Sequence, residues 1–211
     1  MRLTHFGHAA VLVETDGGRA LFDPGTYSSG FESMTELDVI LVTHAHADHL
    51  DAARLVALRE ANPGAILVAN AEATAAAGAG RPGDRQVADE MPFEAAGIRV
   101  QPTGALHAPI YPTLPAVANS GFILDDAVWH PGDAFDAVPR HVDVLLLPVG
   151  GPWMKVADAI DFAKAVAPRV IVPIHQAGLA DVHRQLHYGL LKNLVPSSEL
   201  LVLDEGVAQD V

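Results

Sequence analysis

The sequence predicts an α/β fold in which β-sheets are covered by helices. Short apolar, β-branched runs bounded by Gly, Pro and Asp crowd the first half of the chain, and amphipathic helical periodicity alternates with such runs in the second half. This interleaving favours sheets with helices packed outside them. Three runs are apolar throughout, which is typical of strands buried on both faces: Val39–Val42, Val144–Leu147 and Val170–Val172.

The predicted strands are short segments that end at turn-forming residues. Periodicity alone does not fix their order within a sheet. They cover Leu3–Phe6, Ala10–Thr15, Ala20–Phe22, Val39–Val42, Ile66–Ala69, Ile98–Pro102, Ser120–Leu124, Val128–His130, Val142–Leu147 and Val170–Pro173.

Helical periodicity predicts three amphipathic helices. The first covers Ala52–Glu60 and follows Asp51, whose side chain is a suitable N-cap. The second covers Val156–Ala167 and the third Leu179–Leu191. The residues predicted to face the core are Val156, Ile160, Ala163 and Val166 in the second helix and Leu179, Val182, Leu186 and Leu190 in the third.

Length and composition predict one globular domain over residues 1–211. Half of the residues are apolar and 18% are charged, which provides material for a buried core. The alanine-rich segment Ala69–Gly80 is interpreted as a surface helix that runs into a Gly/Pro turn, not as a linker. We find neither an apolar run of about 18 residues, the length of a membrane-spanning helix, nor a secretory signal. The expected location is therefore the cytoplasm.

A dense group of metal-binding side chains follows the fourth predicted strand, in Thr43-His44-Ala45-His46-Ala47-Asp48-His49. Side chains alternate along an extended segment, so His44 and His46 point the same way and can ligate one ion. Asp48 and His49 follow where the chain turns towards a helix, and they can reach a second ion. The chain has no cysteine, so histidine and carboxylate must hold any metal, a donor set that suits zinc, manganese or iron.

Three further candidate ligands each lie just past the end of a predicted strand. His107 and Asp133 follow two of these strands, Asp133 through a Pro-Gly turn, and His175 closes a long apolar run. Because α/β sheets place their binding sites at the carboxyl ends of strands, we expect these side chains to meet the first group.

The combined pattern resembles the metallo-β-lactamase superfamily over nearly the whole chain. That family has an aspartate after an early strand, a His-x-His-x-Asp-His run, and then a histidine, an aspartate and a histidine. The segments Phe6–Ala10 and Pro148–Met154 are similar to one branch, the small metal-dependent hydrolases related to the ascorbate-6-phosphate lactonases. The residues that match the family pattern are Asp23, His44, His46, Asp48, His49, His107, Asp133 and His175.

The resemblance implies a four-layer αββα sandwich with two divalent metal ions at one edge, zinc being preferred and Mn²⁺ or Fe²⁺ the alternatives. It also implies that Asp23 orients the ligand loop without being a ligand itself, as outer partners of metal-bound imidazoles do. The implied ligands are His44, His46 and His107 for the first ion, Asp48, His49 and His175 for the second, and Asp133 as a bridge between both.

The implied function is hydrolysis, in which a hydroxide shared by two ions about 3.5–4 Å apart attacks a small ester, lactone or phosphodiester. Asp48 is the candidate catalytic residue, since its carboxylate can hold the proton of the attacking water. Asp133 stands where the commonest zinc β-lactamases have cysteine, which disfavours antibiotic hydrolysis. A mononuclear iron oxygenase of the persulfide dioxygenase type and a non-catalytic metal-binding protein stay open as alternatives.

The formal charge of −13, from 26 acidic and 13 basic residues, disfavours binding to nucleic acids or anionic membranes. A small-molecule substrate is expected, and it can be anionic because two bound cations would add local positive charge. The oligomeric state is left open. Three loops are predicted to shape the substrate cleft: 25–34, 109–119 and 150–155. The candidate pocket residues are His8, Tyr27, Tyr111 and Trp153.

Overall fold

Two mixed β-sheets and four helices form the chain in the computed structural model, which describes residues 1–78, 80–138 and 140–211. The helices are α1 (Ala52–Ala61), α2 (Ala71–Ala76), α3 (Val156–Val166) and α4 (Asp181–Leu194). The strands are β1 (Arg2–His5), β2 (Val11–Thr15), β3 (Gly18–Phe22), β4 (Val39–Val42), β5 (Ile66–Asn70), β6 (Arg85–Val87), β7 (Phe93–Ala95), β8 (Ile98–Thr103), β9 (Gly121–Leu124), β10 (Val128–His130), β11 (Val144–Pro148), β12 (Val170–Ile174), β13 (Glu199–Leu200) and β14 (Ala208–Asp210).

The two sheets have similar topologies. The first runs in the order β14-β1-β2-β3-β4-β5-β6 and the second in the order β13-β12-β11-β10-β9-β8-β7. In each sheet the strands that follow one another through hairpins are antiparallel, while β3 to β6 and β10 to β13 are parallel. The parallel parts bring several carboxyl ends of strands to one edge, where α/β folds place their sites.

Alternating side chains on the central strands explain why their sequences are apolar throughout. On β4, Val39 and Leu41 join the core between the sheets, whereas Ile40 and Val42 join the core under α1 and α2. On β11, Leu146 packs between the sheets and Leu145 packs under α3 and α4. Both faces of each sheet are therefore covered, as continuous apolar strands require. The result is the four-layer αββα sandwich that the family resemblance implies.

The helices α1 and α3 follow the predicted pattern. Asp51 caps α1 by accepting a 3.0 Å hydrogen bond from the backbone N–H of Arg54. In α3, Ile160, Ala163 and Val166 are buried against the second sheet. These contacts are the ones that the helical periodicity indicates.

The predicted buried stripe of the third helix is wrong at Val182 and Leu186, whereas Leu179 and Leu190 pack against the core as predicted. Val182 is 73% exposed and Leu186 is 55% exposed, whereas Tyr188 and Leu191 are buried. The helix carries two apolar stripes, and periodicity does not distinguish between them. On the inward side of the helix, His187 Nδ1 donates a 2.7 Å hydrogen bond to the backbone oxygen of Val149, and Leu191, one turn later on the same side, is buried.

Each predicted strand is present, with boundaries that differ by a few residues. The segment Ala69–Gly80 contains the end of β5 and then the short helix α2, while Ala79 lies outside the described residues. Four observed strands were not predicted: β6, β7, β13 and β14. In the part of the chain that the structure describes, no helix combines the length and the hydropathy needed to cross a bilayer.

Hydrogen bonds between the two halves fix the edge at which the parallel strands end. The backbone N–H of Ser120 donates to the oxygen of Thr43 over 2.9 Å, and that of His175 donates to the oxygen of His8 over 2.7 Å. Asn70, at the end of β5, donates from Nδ2 to the oxygen of Ala118 over 3.3 Å as well as to the Thr43 oxygen over 2.9 Å. Loops from both sheets are thereby held against each other at this edge.

Candidate metal centre

The segment 43–49 forms a tight turn between β4 and α1. The backbone N–H groups of His49 and Leu50 donate to the oxygen of His46 over 3.0 and 2.9 Å. Gly25 packs directly against this turn, where a Cβ atom would lie only 1.8 Å from the backbone oxygen of Asp48. The absence of a side chain at position 25 lets the two loops approach each other, which sets the position of Asp48 and His49.

The three later candidate ligands come from the second sheet and converge on this turn. His107 follows β8, Asp133 follows β10 and His175 follows β12. The Asp133 carboxylate lies at the centre: Oδ1 is 3.2 Å from His49 Nε2, and Oδ2 is 3.4 Å from His107 Nε2 and 3.0 Å from His175 Nε2. Ligand candidates from distant parts of the sequence thus meet around one buried carboxylate.

The donor atoms fall into groups compact enough to surround a cation, with members of each group within 4.8 Å of one another. All seven side chains that the sequence singles out as metal ligands take part. His8 joins them beside Asp48. The groups are His44, His46 and His107; His8, Asp48, His49 and His175; and His44, His49 and Asp133.

Hydrogen bonds at Nδ1 orient four of the imidazole rings so that Nε2 faces inwards. His107 Nδ1 donates to the oxygen of Ala108 over 2.5 Å, and His175 Nδ1 donates to the oxygen of Gly150. His44 Nδ1 lies 3.0 Å from the hydroxyl of Thr43, and His49 Nδ1 donates to Asp23. Such bonds at one ring nitrogen fix the tautomer and leave the other nitrogen free for a metal.

Asp23 is fully buried beneath the ligand turn. Its Oδ1 accepts from the backbone N–H of Thr43 over 2.8 Å, and its Oδ2 accepts from the Thr43 hydroxyl and from His49 Nδ1, each over 2.7 Å. His130 Nε2 lies 3.5 Å away. Asp23 therefore holds the turn and one imidazole from behind, the position that a supporting residue would need.

The buried carboxylates and imidazoles of the cluster strongly shift one another's pKa values. Burial alone would lower the pKa of His49, but the carboxylates of Asp133 and Asp23 outweigh it and raise that pKa well above its usual 6.5. Burial would raise the pKa of Asp133, and His49 and His175 instead hold it well below 3.8. Burial lowers the pKa of His44 well below 6.5, so this ring is neutral at pH 7. Without metal, positive charge therefore concentrates on His49.

Asp48 and His8 form a pair at the second group of donors. His8 Nε2 donates to Asp48 Oδ2 over 3.1 Å, and the same oxygen lies 3.6 Å from His175 Nε2. Burial opposes ionisation of Asp48, but this hydrogen bond and the nearby charge of His49 lower its pKa to about 2. Asp48 is thus a carboxylate throughout the neutral range. His8 is 2% exposed, so it belongs to the buried cluster and not to an open cleft wall.

The three aromatic side chains proposed for the substrate pocket differ in how directly they contact the donor cluster. Trp153 lines the cleft over the donor cluster and donates from Nε1 to Asp133 Oδ2 over 2.6 Å. Tyr111 is 62% exposed and lines a neighbouring apolar cleft. Tyr27 is equally exposed, and its ring centroid is 5.3 Å from that of His8. All three thus lie at or near the cluster, Trp153 in direct contact with it.

Three residues of the cluster adopt a left-handed backbone conformation although none is a glycine. The φ angles are 47° for His8, 43° for Asp23 and 62° for His175. This conformation is unfavourable for residues with a side chain and is concentrated at functional sites. At His8 and His175 it accompanies the hydrogen bond between their backbones, which closes the cluster from the side of the second sheet.

Sequence reasoning did not single out Thr43, Asn119 or His130. Asn119 Oδ1 accepts from the backbone N–H of Asp133 over 3.0 Å, and His130 Nδ1 accepts from that of Gly132 over 3.1 Å. The Asn119 and His130 side chains act through the backbone of a ligand loop, whereas the Thr43 hydroxyl contacts the side chains of Asp23 and His44. Their only signal in the sequence is adjacency to a ligand or to a strand end, which many residues share.

Comparison with known proteins shows the family of the chain. The family model described as the Beta-lactamase superfamily domain matches residues 2–175, which include every candidate ligand. The chain belongs to the metallo-β-lactamase superfamily. Curated relatives include Protein Rv0786c of Mycobacterium tuberculosis, 43% identical over 99% of both chains. Another is a UPF0173 metal-dependent hydrolase of Opitutus terrae, 33% identical over 83% of this chain and 84% of the relative.

Solved structures share the fold. Igni18, a metallo hydrolase of Ignicoccus hospitalis, has a TM-score of 0.74 at 24% identity and covers 100% of this chain and 98% of its own. CmlA, a diiron β-hydroxylase of Streptomyces venezuelae, has a TM-score of 0.73 at 16% identity over 99% of this chain and 53% of its own. These likenesses confirm the αββα fold, and the family places the chain among metal-dependent hydrolases.

Proposed function

We propose that the chain is a dinuclear metal hydrolase that cleaves a small ester, lactone or phosphodiester. The single observation that carries this proposal is the double set of donors around Asp133. One set lies towards His46 and the other towards Asp48, and the Asp133 carboxylate faces both. A carboxylate between two donor sets suits a pair of divalent ions.

Buried atoms without a partner support a resident metal. Among the described residues, these include Nε2 of His49, His107 and His175 and Oδ1 of Asp133. Buried polar atoms ordinarily have a partner, and these converge on the same small volume. Imidazole and carboxylate donors suit zinc, with Mn²⁺ or Fe²⁺ as alternatives. The proposed ligands are His44, His46 and His107 for one ion, Asp48, His49 and His175 for the other, and Asp133 between them.

When bound, a pair of ions lowers the pKa of water to near neutrality and stabilises negative charge on the substrate oxygen. The chain supplies the remaining functions. Asp48 is ionised at neutral pH, so its carboxylate can accept the proton of the attacking water. His8 fixes the orientation of that carboxylate through its 3.1 Å hydrogen bond. Trp153 and Ile110 line the cleft above the cluster and limit the access of bulk water.

Metal analysis combined with a hydrolysis screen tests the proposal. Protein purified without chelator should contain about two zinc or manganese ions per chain and should hydrolyse ester, lactone or phosphodiester substrates. Asp133→Ala should lose both ions, because its carboxylate faces both donor sets. Val182→Asp is a suitable control, since Val182 is exposed on α4 and belongs to none of the donor groups.

Other outcomes would overturn the proposal. A single iron with oxygen consumption on a thiol substrate would identify an oxygenase. Stoichiometric metal without turnover across the screen would identify a metal-binding protein. Retention of both ions by Asp133→Ala would contradict the bridging role. A cytoplasmic location, a small-molecule substrate and the absence of nucleic-acid binding stay predictions from the sequence.

A further inference from the structure

An apolar cleft of about 570 Å³ lies beside the metal centre. Its wall is built almost wholly by one segment, residues 106–117, which we call the cleft loop. The volume is in the range of small-molecule binding sites, and such sites are mostly apolar. The side chains that define it are Leu106, Ile110, Tyr111, Leu114 and Val117.

The cleft loop exposes large apolar side chains to solvent. Leu106 is 51% exposed, Ile110 40% and Leu114 55%. Exposed apolar side chains scattered singly are ordinary, but several of them in one concave segment mark a binding site. Leu106 and Leu114 have no part in the proposed mechanism, whereas Ile110 also lines the cleft over the metal centre.

The shape of the cleft is set by the chain itself. At its base, the backbone N–H of His107 donates to Val117 over 2.9 Å and that of Asn119 donates to Ala105 over 3.0 Å. The N–H of Ala108 donates to the oxygen of Asp133 over 2.9 Å, which ties the loop to the centre. Three prolines, at positions 109, 112 and 115, fix φ along the loop. A preformed cleft lowers the entropic cost of binding.

The apolar cleft is continuous with the cleft over the donor cluster. His46, His107 and Ile110 line both. A molecule seated in the apolar cleft therefore reaches, at one end, the two imidazoles proposed to hold the first ion. The reacting bond of the molecule would lie at the metal centre, and the rest of it would lie against the cleft loop.

The lining of the cleft selects against charge. Among the described residues that line it, none is Lys, Arg, Asp or Glu. A charged group placed there would lose hydration without gaining a partner. The net charge of −13 adds long-range repulsion of anions. These features distinguish this cleft from the polar centre beside it.

We propose that the substrate is a carboxylic ester or lactone with an uncharged, apolar arm that binds against the cleft loop. This inference rests on the proposed hydrolytic function. In the reaction, the oxygen of one water bonds to the carbonyl carbon, the bond from that carbon to the alkoxy oxygen breaks, and a proton of the water passes to the alkoxide. The products are a carboxylic acid and an alcohol, and no other reactant is needed.

The proposed apolar arm is tested by measuring how turnover depends on chain length in a homologous series of esters. The metal-loaded enzyme is assayed with p-nitrophenyl acetate, butanoate and hexanoate, and kcat/KM should rise about 2–4-fold per added methylene, as burial of a CH₂ group predicts. In Leu114→Asp the rise should fall below about 1.5-fold per methylene, since a carboxylate in the cleft opposes apolar burial. Leu114 is exposed, so the fold tolerates the change. The matched control Val182→Asp should behave as the wild type.

A binding series separates this inference from the hydrolase proposal. N-Methylacetamide, N-methylbutanamide and N-methylhexanamide carry the same acyl arms as the esters without a labile ester bond, and their dissociation constants are measured by ligand-observed NMR. Binding that tightens with arm length in the wild type but not in Leu114→Asp supports the cleft even if no ester is hydrolysed. In that case only hydrolysis is overturned. Turnover of the acetate with no dependence on arm length in either series overturns the apolar arm alone.

Self-association is the competing use of the cleft. If sedimentation shows a dimer that Leu114→Asp dissociates and arm length has no effect, the cleft is a subunit interface and the inference is wrong. A monomer, or a dimer that Leu114→Asp leaves intact, together with the length dependence supports it.

Discussion

The indole Nε1 of Trp153 donates a 2.6 Å hydrogen bond to Oδ2 of Asp133, the carboxylate oxygen that also lies 3.0 Å from His175 Nε2. Trp153, which lines the cleft, therefore holds the central carboxylate, while Asn119 Oδ1 accepts from the backbone N–H of Asp133. Trp153, a candidate pocket residue from the sequence, thus has a polar contact with the centre.

Trp153→Phe should weaken metal binding by about 10–100-fold, the usual effect of removing a hydrogen bond to a ligand. The phenyl ring keeps the packing against Phe135, whose ring centroid is 5.1 Å from that of Trp153. Competition with a chromophoric chelator measures the affinity. Tyr111→Phe is the matched control and should leave it unchanged. Equal affinity in Trp153→Phe and the wild type would show that the bond does not position Asp133.

Asp23→Asn should destabilise the metal-free protein by about 3–5 kcal/mol, the magnitude for removing one partner of a buried charged pair. The neutral amide cannot accept from Thr43 and His49 as the carboxylate does. Thr43→Val removes the hydroxyl, which contacts Asp23 and His44, but keeps the backbone bond to Asp23, and should cost about 1 kcal/mol. Urea unfolding with added chelator measures both. If Asp23→Asn lowers the free energy of unfolding no more than Thr43→Val does, the supporting role of Asp23 is contradicted.

Zinc binding should release about one proton at pH 7, because ligation requires a neutral imidazole and the pKa of His49 is raised above 6.5. Asp48, with a pKa of about 2, and His44, with a lowered pKa, contribute none at this pH. Affinity should therefore rise with pH up to the pKa of His49. Titration calorimetry in two buffers of different ionisation enthalpy measures the number of protons released. Identical heats of zinc binding in the two buffers would exclude proton release.

The same raised pKa has the opposite effect on the stability of the metal-free protein. A group whose pKa is higher in the folded state stabilises the fold fully below its unfolded pKa, here near 6.5, and this contribution is lost as the pH rises through the folded value. Without metal, the contribution of His49 to the free energy of unfolding should thus decline above about pH 6.5.

Gly25→Ala should displace the ligand turn, because the added Cβ would lie 1.8 Å from the oxygen of Asp48 and 2.5 Å from the nitrogen of His49. Overpacking of this kind costs about 1–3 kcal/mol, and metal affinity should fall with it. Gly64→Ala is the control, since a Cβ there meets no atom within 4 Å. Thermal unfolding and metal titration of both variants measure the effect. Normal metal binding by Gly25→Ala would show that the turn relaxes without moving its ligands.

The central strands could be predicted from the sequence because they are apolar on both faces, whereas the edge strands could not. All three residues of β14 are exposed, and only Val87 of the three residues of β6 is buried. Such strands are held by backbone pairing to a neighbour, which leaves no pattern in their side chains. The prediction for α4 was wrong at Val182 and Leu186 because helical periodicity does not distinguish between two apolar stripes on one helix.

The convergence of the candidate ligands followed from their positions just past strand ends. Which nitrogen of each ring faces inwards did not, because it depends on backbone oxygens such as those of Ala108 and Gly150. The role of Trp153 was equally hidden, since its partner Asp133 lies 20 residues earlier in a different loop. Contacts between loops need the folded backbone to be known.

The candidate ligands His44 to His49 belong to the first sheet, whereas His107, Asp133 and His175 belong to the second. An ion seated among them would act as a non-covalent cross-link between the amino-terminal and carboxyl-terminal halves. Neither half expressed alone would assemble a complete coordination sphere. Tight binding of a cation would therefore require that the whole chain has folded. Removal of the ion by a chelator would in turn remove this cross-link and lower the free energy needed to separate the two sheets.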